Sequence, residues 1–157
     1  MTLEEVLSSY SEGPQTGVFT DGGCQPNPGP GGWGYVHVIE GQIIQQEHGH
    51  ESETTNNRME LTALIKAFSA LSSETVVTIH SDSQLCVRTI NEWAPNWERR
   101  GWRRSTGPIA NLDLVQELYA LHKNKPNISL QWIKAHNGWL WNEYADALST
   151  AWTRSVL

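Results

Sequence analysis

Cysteine is nearly missing: Cys24 and Cys86 are the only two in 157 residues. Two cysteines make no disulfide framework, and their spacing matches no zinc site. They read as free thiols, which suits a reducing compartment. Long apolar runs are missing too. No stretch approaches the roughly 18 apolar residues that suggest a membrane-spanning helix. Met1 to Gly17 carries Glu4, Glu5 and Glu12 but no basic residue. A secretory signal needs a positive start and an apolar stretch, so a cytoplasmic location is expected. Positive charge is scarce overall: 11 Lys plus Arg stand against 17 Asp plus Glu, a net charge of −6. That balance counts against a nucleic-acid partner, since such proteins are often basic. No internal repeat or low-complexity linker divides the chain. One domain is expected over residues 17–157, preceded by a flexible tail, 1–16, that is polar and contains Gly13-Pro14.

What is present is unevenly placed. Four of the 11 basic residues fall within Arg99-Arg100-Gly101-Trp102-Arg103-Arg104. A concentrated basic patch on an acidic protein can still bind phosphate. Eight Trp are present, and Trp93, Trp97 and Trp102 lie in or beside this patch. They read either as the patch's own small core or as part of a contact surface.

Residue patterns predict strands over 17–21, 33–39 and 42–51, joined by the turn cluster Asn27–Gly32 and by Glu40-Gly41. A helix follows over 58–71, with Leu64, Phe68 and Leu71 on one stripe. Then come a strand at 76–80, a short helix at 83–91, the Trp- and Arg-rich segment 92–106, and a helix at 112–122. A strand at 128–133 and a helix at 140–152 close the chain, with Leu140, Tyr144, Leu148 and Trp152 on one helical face. This order predicts an α/β fold: a mixed five-stranded sheet, made of a three-stranded antiparallel meander plus two further strands, flanked by helices.

Several polar residues are candidates for chemistry, and each also has a plain structural reading. Asp21 sits in a strand of Val, Phe and Thr, where Asp is depleted, although Asp21-Gly22 is also a good turn. With Asn57 as N-cap, Glu60 would complete a near capping box, which explains it locally. Asp82 follows an apolar strand, where ligand sites form in α/β folds, and it or Ser81 could equally cap the next helix. Asp146 lies off the apolar face of the last helix, where a solvated acid is common. His136, in Lys134-Ala135-His136-Asn137-Gly138, reads as an exposed loop residue or as a proton carrier.

Together, these segments resemble type 1 ribonuclease H. The resemblance runs through Thr20-Asp21-Gly22-Gly23-Cys24, Asn27-Pro28-Gly29-Pro30-Gly31-Gly32-Trp33-Gly34 and Thr54-Thr55-Asn56-Asn57-Arg58-Met59-Glu60-Leu61. It continues in Ser81-Asp82-Ser83-Gln84, Lys134-Ala135-His136-Asn137-Gly138, Asn142-Glu143 and Asp146. It implies a ribonuclease H-like fold and hydrolysis of the RNA strand of RNA–DNA hybrids, leaving 5′-phosphate and 3′-hydroxyl ends. It further implies that Asp21, Glu60, Asp82 and Asp146 hold two Mg²⁺ ions, with Mn²⁺ as an alternative, and that Asp21 bridges the two. His136 matches a histidine that moves protons or helps product leave. Two metals suit such a reaction because one can activate water while the other stabilises the leaving oxygen.

The same resemblance implies contacts to substrate. Cys24, Asn27, Glu60 and Gln84 would face the RNA, whose 2′-OH marks the strand to be cut. Asn56 and Asn57 would reach the minor groove, Thr55 and Arg58 a DNA phosphate, and Asn111 the DNA strand. Trp93, Trp97, Arg99, Arg100, Trp102, Arg103 and Arg104 would form a basic handle that grips the hybrid, as in the bacterial, stand-alone kind. The partner expected is thus an RNA–DNA hybrid, and the protein is expected to be a monomer without a membrane. The chain departs from the pattern at Ala135, at Trp139-Leu140-Trp141 and at Glu98 inside the handle. Other metal nucleases of the superfamily fit the Asn56-Asn57-Arg58-Met59 run and the handle less well. A non-catalytic hybrid-binding module would be better off without clustered acids.

Overall fold

Alternating burial builds the sheet. In the computed structural model, which describes residues 1–157, Val18 packs on one side of strand β1 (Gly17–Cys24) and Phe19 on the other, both fully buried. Tyr35 and Val36 divide in the same way on β2 (Gly29–Ile39). Both sheet faces are therefore covered, as the continuous burial along these strands requires. β3 (Gln42–Thr54) pairs antiparallel with β2, and β2 antiparallel with β1. β4 (Val77–Ser81) and β5 (Ile128–Trp132) add in parallel, giving the order β3-β2-β1-β4-β5. The mixed five-stranded sheet expected from the sequence is thus present, with β1 at its centre.

Two cores sandwich the sheet. Helices α2 (Asn56–Ala70) and α5 (Leu112–Asn124) supply Leu64, Phe68, Val115 and Leu118 to the larger one. Helix α6 (Leu140–Ser149) supplies Leu140, Tyr144 and Leu148 to the smaller one. α6 lies hard against β2: a Cβ on Gly34 would come 2.5 Å from Leu148 Cβ.

Three expectations are corrected. Residues 1–16 are not a loose tail. Thr2 caps a short helix, α1 (Leu3–Ser9), by accepting from the Glu5 N–H. Leu3 and Val6 are buried in the smaller core. Two helical turns are too short to stand alone, so docking on α6 holds them, and so short a pattern is faint in sequence. The last helix stops at Ser149, and Trp152 sits in a separate 3₁₀ turn, Ala151–Thr153. The helix expected to end at Asn91 continues as α3 (Gln84–Arg88), a π turn (Thr89–Trp93) and α4 (Ala94–Arg99). Pro95 lies in the first turn of α4, where its missing N–H is tolerated, and the wider turn precedes it.

Candidate active site

Asp21 lies mid-strand in β1, opposite Gly34 of β2. β1 and β4 run parallel with Thr20 beside Ser81. The Thr20 hydroxyl donates to the His80 carbonyl at 3.0 Å. Asp82, one residue beyond β4, is therefore delivered next to Asp21. The N-cap of the next helix is Ser83, which accepts from the Cys86 N–H. Asp82 is thereby relieved of the capping role left open by the sequence.

Glu60 comes from α2, and its local reading also changes. The N-cap is Thr55, not Asn57: its hydroxyl accepts from the Arg58 N–H at 3.2 Å. Arg58 takes the third helical position, so Glu60 cannot close a capping box. It lies further along the helix and is buried. Gly22 explains how α2 comes so close. A Cβ there would lie 2.4 Å from the Met59 carbonyl carbon, so only glycine lets β1 touch the first turns of α2.

Carboxylate oxygens of Asp21, Glu60 and Asp82 lie within 4.8 Å of one another. Asp21 and Glu60 are each only 8% exposed. Burial pushes the Asp21 carboxyl well above the usual range, helped by the charges of Glu60 and Asp82 and by a hydrogen bond with Asp146. Burial and then Asp82 push Glu60 up as well. None of the three forms an ion pair with Lys or Arg. Such a cluster must keep protons or take a cation. Asp146, half-buried on α6, touches Asp21 but is not among the three oxygens held within 4.8 Å.

Asp21 and Asp146 line a cavity of about 460 Å³ with Gly23, Cys24, Asn56 and Trp152. Trp152 is the wall residue the sequence assigned elsewhere. Because α6 ends early, its indole leaves the apolar face and stacks on His50, 5.5 Å between centroids. The Ser149-Thr150 pair, whose hydroxyls bond back to Asp146 and Ala147 carbonyls, marks that break. On the opposite wall the Cys24 N–H donates to Asn56 Oδ1 at 2.8 Å. Asn27 Oδ1 accepts from the Asn56 N–H at 3.2 Å and from Cys24 Sγ at 3.4 Å.

A family profile described as RNase H matches residues 13–153. The chain belongs to the ribonuclease H family. It is 47% identical over 141 residues to a ribonuclease H of Gluconobacter oxydans, covering 88% of this chain and 92% of that one. A ribonuclease H of Hahella chejuensis is 45% identical over 141 residues, 89% of this chain and 94% of that one. Among solved structures, LC9-RNase H1, described as a type 1 RNase H with the type 2 active-site motif, superposes with a TM-score of 0.70 at 30% identity. That match covers 90% of this chain and 74% of that one. LC11-RNase H1, solved in complex with RNA/DNA hybrid, shares the fold with a TM-score of 0.62 at 24% identity, covering 87% of this chain and 98% of that one.

The remaining candidates lie in several settings. Asn57, Asn111, Trp93, Trp97 and Arg104 come together around a mainly apolar pocket of about 110 Å³. Gln84, exposed, opens α3. Several side chains are engaged within the chain, some of those at the pocket included. Thr55 is occupied as a cap. Arg58 pairs with both oxygens of Asp113, at 3.2 and 3.0 Å, and with Asn111 Oδ1 at 3.3 Å. Trp93 and Trp97 tilt against each other at 6.1 Å, and Trp102 packs edge-on to Tyr119 at 5.9 Å. Arg99 donates to Asn96, and Arg104 to the Gly107 and Pro108 carbonyls. Arg100 and Arg103 are exposed. Glu98 pairs with Lys123 at 2.9 Å and so ties α4 to α5, which accounts for an acid in a basic segment. His136 is largely exposed and stands beside Glu143, with Nδ1 3.8 Å from Oε1. No helix is long and apolar enough to cross a membrane.

Proposed function

We propose that this ribonuclease H is an endonuclease that cuts the RNA strand of RNA–DNA hybrids and leaves 5′-phosphate and 3′-hydroxyl ends. Asp21, Glu60, Asp82 and Asp146 hold the metal. The observation that carries this reading is the convergence of Asp21, Glu60 and Asp82 from three separate elements, two of them buried and none paired with a cation of the chain. The donor set fits Mg²⁺, and Mn²⁺ after it, because only hard carboxylate oxygens are offered. The neighbouring Cys86 thiol, pushed up to about 11 by burial, is not among the ligand atoms that cluster there. Bound there, two such ions supply an activated water and a stabilised leaving oxygen for an in-line displacement at phosphorus.

The residues do the rest. The four carboxylates fix where the scissile phosphate sits, beside the open cavity that Asp21 and Asp146 line. Asn27 and Asn56 spend their side-chain oxygens within the chain and keep their Nδ2 hydrogens for a ligand. Such donors suit a 2′-OH, which only RNA carries. His136 moves protons or eases product departure. The setting that suits this reading is a cytoplasmic monomer, whose two cysteines stay free.

One experiment tests the whole. Labelled RNA–DNA hybrid, double-stranded DNA and double-stranded RNA are incubated with the protein, with and without Mg²⁺. Internal RNA cuts confined to the hybrid and dependent on metal are expected. Cutting of all three duplexes, or metal-independent cutting, contradicts the reading.

A further inference from the structure

The N-terminal segment holds the root of the loop that carries His136. The loop runs from the end of β5 to the start of α6. Its first root is fixed to the sheet: the Ile133 N–H donates to the Ser81 carbonyl at 2.9 Å, and Ile133 is buried. Its second root is Trp139, the N-cap of α6, and this root is fixed by residues 12–15. Glu12 and Trp139 form a parallel bridge, and the Leu140 N–H donates to the Glu12 carbonyl at 2.9 Å. Gly13 lies flat on the Trp139 ring: a Cβ there would fall 2.5 Å from Cγ, and its φ of +95° already favours glycine. Trp141 Nε1 donates to Gln15 Oε1 at 3.2 Å. α1 anchors the strap by burying Leu3 and Val6 against α6, and the Leu3 N–H donates to the Leu157 carbonyl.

Between these roots the loop faces solvent. Residues 134–137 are exposed, His136 has a φ of +51°, and nothing lies within 4 Å of a Cβ built on Gly138. Trp139 is the hub. Its carbonyl accepts from the Glu143 N–H at 3.0 Å, and its N–H donates to Asn137 Oδ1 at 3.0 Å. The residue under the Gly13 strap thus sets both Glu143 and the stretch that carries His136. Ring-on-glycine packing leaves no slack, so moving one partner moves the other.

We infer that Gly13 and Trp139 are positioning residues: the strap 12–15 clamps the loop root and so sets where His136 stands during turnover. The inference rests on the role proposed above for His136. Its physical content is that loops gating turnover are governed by the residues that fix their ends.

The test is a double-mutant cycle on the full chain with RNA–DNA hybrid in Mg²⁺. Gly13→Val forces the strap off Trp139. Trp139→Leu removes the ring and serves as the second variant should Gly13→Val not fold. Each is made with and without His136→Ala. Either strap variant is expected to lower kcat roughly three- to tenfold with KM unchanged, the scale of coupling between touching residues. In the His136→Ala background the same variant is expected to cost nothing more. A second, equal loss in that background overturns the inference, as does a lowered melting temperature with unchanged kcat. If His136→Ala alone leaves kcat untouched, the role of His136 falls first, and the inference with it.

Discussion

The carboxylate centre and the basic handle are built on opposite plans. The acids come from three elements far apart in sequence and meet in a buried place where their charges oppose one another. The handle is one continuous stretch, residues 92–106, on the surface, and most of its charges are already answered. Arg99 and Arg104 bond to nearby chain atoms, and Glu98 bonds to Lys123. The centre is therefore unstable by itself and becomes stable with a cation. The handle is stable by itself and offers mainly Arg100 and Arg103 to a partner. Chemistry belongs to the first plan, because only a conflict held by the fold can be resolved by a ligand. Weak, additive grip would suit the second.

The largest effect should follow from breaking the centre. Asp21→Asn is expected to lower cleavage of hybrid by roughly three to four orders of magnitude, the scale for removing a member of a catalytic unit. The same variant should be more stable than the parent in EDTA. Asp21 is pushed up in the folded state, by burial first and by Glu60 next. The folded state therefore binds this proton more tightly than the unfolded one. Stability falls as pH rises from the ordinary Asp range through the raised value, so at neutral pH, above the ordinary range, a penalty is present. Asn abolishes it. Thermal melts in EDTA at neutral pH check this, and an unchanged or lowered midpoint contradicts it. Added Mg²⁺ should raise the midpoint of the parent and not that of the variant.

A smaller effect is expected at the handle. Arg100→Ser with Arg103→Ser should weaken hybrid binding and lower the slope of log affinity against log salt by up to about two units, one for each phosphate left without its arginine. Arg99→Ser with Arg104→Ser should lower it less, because those guanidiniums are engaged within the chain. Binding titrations across a salt series separate the two pairs. Equal slopes for both pairs would erase the distinction.

The two plans also differ in how far sequence reveals them. Asp21 is legible by itself, since a strand of Val, Phe and Thr should not hold a charge. Glu60 is hidden by an ambiguity of two residues, because Thr55 and Asn57 can each cap a helix. In the structure the Thr55 hydroxyl takes the cap by accepting from the Arg58 N–H, and no local pattern separates the two candidates. Asp146 depends wholly on resemblance, because its helix face looks solvated until α6 is laid against β2. The sheet order follows readily from the meander and the alternating helices. α1 does not, because two turns with Leu3 and Val6 carry little periodic signal and gain their stability from docking. Trp152 is misplaced for a related reason: steps of four run smoothly past Ser149, while the backbone does not. The handle is visible as composition, yet its local pairing is not, since hydrogen bonds to Gly107 and Pro108 carbonyls leave no mark on residue type.

Arg58 lies between the two plans and gives the finest test. The resemblance assigns it to a DNA phosphate, yet Asp113 occupies both of its terminal nitrogens. The Asp113 carboxylate is held below its usual range chiefly by this hydrogen bond, so the pair stays charged at neutral pH. A phosphate must then compete with a carboxylate for the same fork. Both partners are substantially exposed, so the pair is weak in water and competition is feasible. Asp113→Asn should leave Arg58 in place, free its guanidinium and strengthen hybrid binding by about twofold, within the range of one exposed ion pair. The salt slope should steepen by less than about one unit, since Arg58 becomes one more phosphate ligand. Arg58→Ser in the Asp113→Asn background should erase both gains. If Asp113→Asn tightens binding equally with and without Arg58, the gain comes from removing a negative charge, and Arg58 belongs with the self-paired arginines of the handle.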